Sequence, residues 1–555
     1  MKYLLILILT GLSAAIVVAE AVPLESNPAL IEIGRRIYQE GITESGELLQ
    51  GLSAANVTFK GKQAACIGCH RKSGLGWNEG TSIIRPIVGK YLFPAEKPPV
   101  RSELHKRALY AHSVTRAEYT PASFAKVLRN GVDYGGHTLD LLMPRYVLND
   151  KEVAALAAYL SSLSSHSDPG VDAETIHFAT VVMPGAKPGE TKAMLDVLSA
   201  FFADKNGGSR SEGRRRKIGT DAEYRAYRRW ELHVWELTGP AEGWNTQLEK
   251  LYAKQPVFTL LSGIGGDNWE PLHNFCEKQK IPCLFPNSNL PVTDNAYYSF
   301  YFSRGIKLEA EVMASHFAVN AGKRYSVLQV FNEKDRQGVT AAQVFRNSLS
   351  KADATANIID WSFSGTVDIA SLQRALNEHK PQKLVIWLNG DDLAKIAKWD
   401  TAAYSPKQVF LSASMLGSKI VANYDLLGKP LQSYIDKVRL IYPYELPHQT
   451  AQNILRTKLW LRAKGIGLTE EQIQANTYFA VMVVGDSISH LLDEYSRDYF
   501  IERLEHMVAR SLVTSVYPRM SLGPGQRFAS KGAYLVKYPL QKGLVEPVSD
   551  WIVPK

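Results

Sequence analysis

The sequence predicts a multidomain chain, an all-α domain within its first 163 residues followed by an α/β domain with parallel sheets. Three observations carry this. Apolar residues recur at helical spacing on both sides of one Cys-x-x-Cys-His motif; beyond Ile176 short apolar runs alternate with amphipathic segments; and a small-polar stretch ending in Pro-Gly separates the two regions. A chain of 555 residues is too long for a single core, and 45% hydrophobic with 21% charged residues argues for two or three globular domains without long disorder.

The elements follow in chain order. Met1-Lys2 is a short positive start, Leu4 to Val18 an apolar run too short for a comfortable membrane span, and Ala19-Glu20-Ala21 has the A-x-A form of a cleavage site. Residues 1–21 therefore read as a secretory signal peptide and the mature chain as periplasmic from Val22; an uncleaved N-terminal anchor is the competing reading. No later stretch is apolar for long enough to span a bilayer.

Cys66-Ile67-Gly68-Cys69-His70 carries the chemistry. Two thiols on one helical turn can add across the vinyl groups of haem, forming thioethers, and the histidine that follows reaches the iron. A redox dithiol needs a strand-to-helix setting, whereas Ser53 to Ala65 is polar and glycine-containing. A zinc site needs a second ligand pair nearby, and the other cysteines, Cys276 and Cys283, are some two hundred residues away. The expected cofactor is one covalent haem c.

Around this motif the segment from Asn27 to Leu163 resembles class I cytochrome c domains. An N-terminal helix pattern (Ile31, Gly34, Ile37, Tyr38) precedes it. Arg85-Pro86-Ile87 and a helix from Pro121 to Asn130 follow. Leu142-Met143-Pro144 then leads into a closing helix, Asp150 to Leu163, whose Asn149 cap has Glu152 three residues on. The resemblance implies that Met143 is the sixth iron ligand, that the Pro86 carbonyl orients His70, and that the terminal helices cross at Gly34 and the Tyr159 region. His137, beside Gly135 and Gly136, is the competing sixth ligand. A six-coordinate iron held by His70 and Met143 has no open position, so the site would transfer electrons; a haem enzyme with a displaceable sixth ligand is the alternative.

Residues 164–175 read as an interdomain linker. Strands are expected at Phe178 to Val182, Val257 to Leu261, Pro282 to Phe285, Tyr325 to Phe331, Lys383 to Leu388 and Val409 to Leu411. Helices are expected at Thr191 to Ala203, Trp269 to Lys280, Leu308 to Ala321, Val339 to Ser350 and Ile369 to His379. Residues 176–555 are similar to a type I periplasmic solute-binding protein of the branched-chain amino-acid-binding kind found with ABC transporters. The likeness rests on the first strand running into Pro184-Gly185, on Leu260-Leu261-Ser262-Gly263, on Ile281-Pro282-Cys283-Leu284-Phe285-Pro286-Asn287, and on Lys323 to Leu328 opening a second lobe. It implies two lobes, with hinges near 304–308 and 438–446, and a ligand cleft at the carboxyl ends of the strands. The residues expected there are Ser262, Gly263, Asn268, Trp269, Asn287 and Asn289 from one lobe. Phe331, Asn332, Asn389, Asp391, Ser412 and Ser414 come from the other. Each polar residue has a bland alternative as a cap or turn. Cys276 and Cys283 are either a disulfide or two buried thiols.

The net charge of +9 is modest; Arg210 to Lys217 with Arg225, Arg228 and Arg229 read as a solvated face, so nucleic acid is not an expected partner. No G-x-S-x-G, H-E-x-x-H or P-loop signature is present. The expectation is a non-enzymatic, exported mono-haem cytochrome fused to a binding module. Its expected partners are a periplasmic redox protein (an exported dehydrogenase or another cytochrome), an unidentified small molecule and an ABC permease. The alternative is a solute-binding or sensing receptor in which haem is a redox gauge or structural element.

Overall fold

A computed structural model of the chain describes residues 27–53, 56–79, 82–95, 117–163, 167–208, 228–294, 296–319, 324–396, 404, 406–417, 432–491, 494–511, 515–538 and 545–554. The signal-peptide reading and the basic run from Arg210 to Arg225 lie outside these residues. The chain divides into two compact units, Met1–Ser167 and Asp168–Lys555.

The first unit is built on helices. Pro28–Arg35, capped by Asn27, continues into a wider turn over Arg36–Glu40 and packs against Asp150–Ser162. Gly34 makes this crossing possible, because a Cβ there would lie 2.0 Å from the Ala155 carbonyl oxygen and 2.7 Å from Cβ of Tyr159. The closing helix has the expected capping box between Asn149 and Glu152, and Pro121–Asn130 starts on a second box, between Thr120 and Ser123. Short strands complete the unit. β1 (Gln50–Leu52) pairs antiparallel with β2 (Thr58–Lys60) and with β5 (Arg145–Tyr146), while β3 (Trp77–Glu79) pairs with β4 (Ser82–Ile84). The core gathers Ile37, Tyr38, Phe124, Leu128, Leu156 and Tyr159, with Cys66, Ile67 and Met143 packed against its margin.

The second unit contains two α/β lobes. The first lobe has β6 (Thr175–Val182), β7 (Arg229–Glu236), β8 (Thr259–Leu261), β9 (Cys283–Leu284) and β10 (Ser299–Phe300), all parallel in the order β10-β9-β8-β6-β7. The second has β11 (Tyr325–Asn332), β12 (Ala356–Phe363), β13 (Lys383–Trp387), β14 (Gln408–Ser412), β15 (Val438–Tyr442) and β16 (Tyr534–Lys537). Their order is β12-β11-β13-β14-β15-β16, and only β16 runs antiparallel. Helices cover both sheets, as buried parallel strands require.

Three expectations are corrected. Asp168, Pro169 and Gly170, read as linker, are part of the second unit: Asp168 Oδ2 accepts from the Arg497 amide at 2.6 Å, and the Arg497 guanidinium donates to the Pro169 carbonyl at 3.0 Å. Residues 438–442 are a sheet strand, so the return to the first lobe begins after Tyr442. Finally, a third crossover, between Met507 and Tyr534, joins the two expected, because the helices Glu471–Ser489 and Arg497–Met507 pack on the first lobe through Phe285–Phe479 and Phe258–Phe500 before the chain reaches β16. The crossovers are laced together: the Tyr301 amide donates to Arg527, the Ser530 amide to Phe302 and the Glu445 amide to Val516, at 2.8, 2.7 and 2.8 Å.

Candidate functional site

In the first unit, Cys66 precedes a single turn, Ile67–His70, and the Cys69 amide donates to the Cys66 carbonyl at 3.2 Å, so both cysteines belong to one turn. Neither is in a disulfide; Cys66 is half-buried and Cys69 exposed. Nδ1 of His70 lies 3.1 Å from the carbonyl oxygen of Arg85. A carbonyl only accepts, so Nδ1 carries the proton and Nε2 keeps its lone pair. This corrects the expected partner by one residue, because Arg85 and not Pro86 supplies the acceptor. Burial pushes His70 down to about 4, with the Arg85 bond opposing it more weakly, so the ring is neutral at neutral pH.

Met143 sits in a tight loop in which the Leu142 amide donates to Asp140 Oδ1 at 2.9 Å and the Met143 amide to the Asp140 carbonyl at 3.1 Å. The Arg145 guanidinium takes the Met143 carbonyl. Three residues on, the Tyr146 phenol is the hydrogen-bond partner of the Cys66 thiol, and burial pushes that thiol up to about 12. The methionine segment and the cysteine motif therefore meet at one margin of the core. His137 is exposed and turned to Asp133, 3.3 Å from its carboxylate. The residues fit haem: two cysteines at thioether spacing that are not in a disulfide, an imidazole with its outer nitrogen already bonded, and Leu52, Leu141, Leu142 and Val147 left exposed on the segments carrying the methionine and its paired strand. Apolar side chains left open in this way are what a large planar macrocycle covers.

In the second unit the strand ends converge, but largely on one another. Ser262 follows β8 in a left-handed conformation (φ 57°) with its hydroxyl buried. Asn287 Nδ2 donates to Ser262 Oγ at 3.2 Å, Asn476 Nδ2 donates to Asn287 Oδ1 at 3.2 Å, and Thr477 Oγ1 lies 3.5 Å from Ser262 Oγ. Gly263 lets the ring of Trp269 approach, since a Cβ would meet it at 3.0 Å. Asn289 reaches across to the Ser414 carbonyl at 3.4 Å, and Ser414 Oγ meets the Tyr444 hydroxyl at 3.0 Å. Beneath them Glu309 is fully buried, one oxygen accepting from the Ser414 amide at 3.3 Å and the other without a partner. Burial pushes its carboxyl up to about 7.

The other expected cleft residues have structural roles. Asn389 caps the helix Gly390–Ile396 through the Asp392 amide, Ser412 caps Ala413–Leu416 through Met415, Phe331 packs against the lobe core, and Asn332 donates to Asp392. Asp391, the candidate partner for an ammonium group, is exposed. Asp392 is the carboxylate that turns inward, and it is already paired with Lys395 at 2.8 Å.

A cavity of about 250 Å³ opens between the lobes, lined by Asp267, Trp269, Thr293, Lys307, Arg336 and Thr340 among others. Of the twelve expected cleft residues only Trp269 lines it among the described residues. The indole N–H of the lining Trp269 is buried without a partner, as are Oδ1 of Asn268 and Oε1 of Gln337, the sequence neighbours of the lining residues Trp269 and Arg336. Gln337 donates to Asp267 at 2.6 Å and Arg336 pairs with Glu270 at 3.4 Å, so both lobes are bridged at the rim. Sequence reading did not single out Lys307, Arg336 or Thr477, whose signal is purely spatial. Cys276 and Cys283 form a disulfide, with Cα atoms 6.2 Å apart, which settles the open pair.

Residues 60–164 match the family model described as Cytochrome c. Solved structures similar to the chain include an ABC transporter substrate-binding protein from Sphaerobacter thermophilus, 14% identical, with TM-score 0.50, covering 69% of this chain and 98% of that one. A branched-chain amino acid ABC transporter protein from Thermus thermophilus with bound valine is 12% identical, with TM-score 0.49, over 69% and 97%. A fatty acid ABC transporter substrate-binding protein from Thermomonospora curvata is 13% identical, with TM-score 0.49, over 70% and 95%. No curated protein matches the chain. The chain thus combines a cytochrome c domain with a periplasmic-binding-protein fold, and no helix among the described residues is long and apolar enough to cross a membrane.

Proposed function

We propose that the protein is an exported, non-enzymatic electron-transfer cytochrome whose second unit captures a small molecule or docks a partner. The observation that carries it is the arrangement at His70, a neutral imidazole with Nδ1 tied to the Arg85 carbonyl, one residue beyond a Cys66–Cys69 pair that is not in a disulfide. Cys66 and Cys69 would hold haem as thioethers, and His70 with Met143 would be its axial ligands. Bound there, haem supplies a one-electron couple, and a thioether ligand raises its potential. The Arg85 carbonyl fixes the tautomer and orientation of His70, and the Asp140 turn with Arg145 holds the Met143 backbone in place.

In the second unit the interlobe cavity, with the partnerless indole N–H of Trp269 in its lining, supports reversible capture of a polar small molecule. ABC-type transport is the corresponding expectation for a partner, and export to the periplasm the corresponding localisation.

The test uses the haem-loaded full chain. Reversible reduction with no carbon monoxide adduct at neutral pH is expected, and Met143→Ala is expected to bind carbon monoxide. Rapid, complete carbon monoxide binding by the unaltered protein would remove Met143 from its role, and the absence of any reversible redox change would end the electron-transfer reading.

A further inference from the structure

The edge of the first lobe carries a cluster that neither the haem nor the cleft uses. His177 on β6 stands opposite Glu231 on β7 in the parallel register, and His233 is two residues further along β7. Directly paired residues, and residues two apart on a strand, share one face of a sheet, so all three side chains project from the same side. Both histidines are largely buried, while Glu231 is half-exposed at the strand edge.

The two rings meet edge to edge. Their planes are 28° apart with centroids 5.3 Å apart, while Nδ1 of His177 lies 3.1 Å from Nε2 of His233. The centroid separation exceeds the nitrogen separation by about two ring radii, so the nitrogens face one another. The far nitrogen of His177, Nε2, lies 3.2 Å from Asp172 Oδ2. Asp172 is itself fixed, because its other oxygen accepts from the amides of Glu174 and Thr175 at 2.7 and 2.8 Å. A carboxylate accepts, so the His177 proton sits on Nε2 and its Nδ1 lone pair points at His233. This is the carboxylate–histidine arrangement that orients a metal-bound imidazole.

We propose that His177, His233 and Glu231 bind a divalent transition ion of the zinc type, with Asp172 as the positioning residue. Two imidazole nitrogens on one tetrahedral zinc, at Zn–N distances of about 2.0–2.1 Å, are about 3.3 Å apart, close to the spacing already present. Glu231 Oε1, 3.9 Å from Nε2 of His233, becomes the third ligand after a small side-chain movement, and water supplies the fourth. The ion takes the place of the Nε2 hydrogen of His233 between the rings, and that hydrogen moves to Nδ1 of His233, so both imidazoles stay neutral. Because Glu231 and His233 are on β7 and His177 on β6, the bound ion clips the edge strand to the sheet.

The test titrates the haem-loaded full chain, freed of metal by chelation, with zinc chloride by calorimetry and with cupric ion by electron paramagnetic resonance. The expected result is one zinc per chain, a raised unfolding midpoint, and a cupric spectrum with coupling to two nitrogens. His177→Ala and His233→Asn should each abolish binding at micromolar zinc, and Asp172→Asn should weaken it about 10- to 100-fold. Circular dichroism identifies which variants fold, and Glu231→Gln, altered only at the exposed edge, keeps the test open if a histidine variant does not. Absence of zinc binding at millimolar concentration overturns the proposal, as does full affinity in the folded variants.

Discussion

The two units carry their chemistry in opposite ways. In the helical unit the haem reading rests on five consecutive residues and one loop methionine, and the fold supplies Arg85, Tyr146 and the crossing at Gly34 around them. In the α/β unit, polar residues from strand ends far apart in sequence meet and mostly bond to each other. A permanently attached group needs fixed spacing along the chain, because both bonds must form on one turn. A reversible ligand needs only a cavity, which any set of loops can line. The first kind of site is legible one motif at a time, and the second only after folding.

The largest expected effect separates the units outright. Replacing both Cys66 and Cys69 by serine should leave no haem on the denatured chain, measured by its absorbance after acid extraction, while the unfolding transition of the α/β unit stays in place. Retained covalent haem would break the comparison. Gly34→Leu should destabilise the helical unit by about 3 kcal/mol through overpacking against Ala155, with the second transition unmoved in calorimetry.

The third prediction concerns Glu309. Its carboxyl is raised to about 7 from an ordinary value of 4.5, so the native state holds a proton that the unfolded chain gives up. The resulting stabilisation is complete below pH 4.5 and lost as pH rises through about 7. Glu309→Gln should flatten this fall, a difference of about 3 kcal/mol in the α/β unit, read from urea unfolding across that window. The smallest effect is that of Cys276→Ser with Cys283→Ser. Opening a cross-link between residues seven apart should cost about 2 kcal/mol in the second unit and nothing in the first.

How much was legible follows from burial. The six strands read from the sequence, β6, β8, β9, β11, β13 and β14, are all interior to their sheets, with both faces covered and near-continuous apolar runs. The edge strands β7, β10, β12 and β16 were not read. In β7, Arg229, Glu231, His233 and Glu236 alternate with Trp230, Leu232, Val234 and Trp235 closely enough to pass for a charged face. β15 is interior and was also not read as a strand; its Arg439 interrupts the apolar run. In the haem region the motif and the Asn149–Glu152 capping box follow from local rules, the Gly34 crossing came only through the resemblance, and the Thr120–Ser123 box was not read. The Arg85 acceptor missed by one residue because the tautomer bond depends on loop geometry that spacing does not specify. Glu309, Lys307 and Arg336 gave no signal, since what singles them out is burial or a neighbour remote in sequence.

The four cysteines place contrary demands on the cell that makes this chain. Cys276 and Cys283 are covered and joined, which requires an oxidant. Cys66 and Cys69, on the haem reading, have to stay reduced until the thioethers form, in the same compartment. Synthesis brings out the N-terminal pair some two hundred residues earlier than the other, so the order of emergence itself offers a window for attachment before wrong pairings between the two sets become possible. A chain shuffled to place the α/β unit first would lose that head start, and mispaired cysteines should accumulate during its maturation.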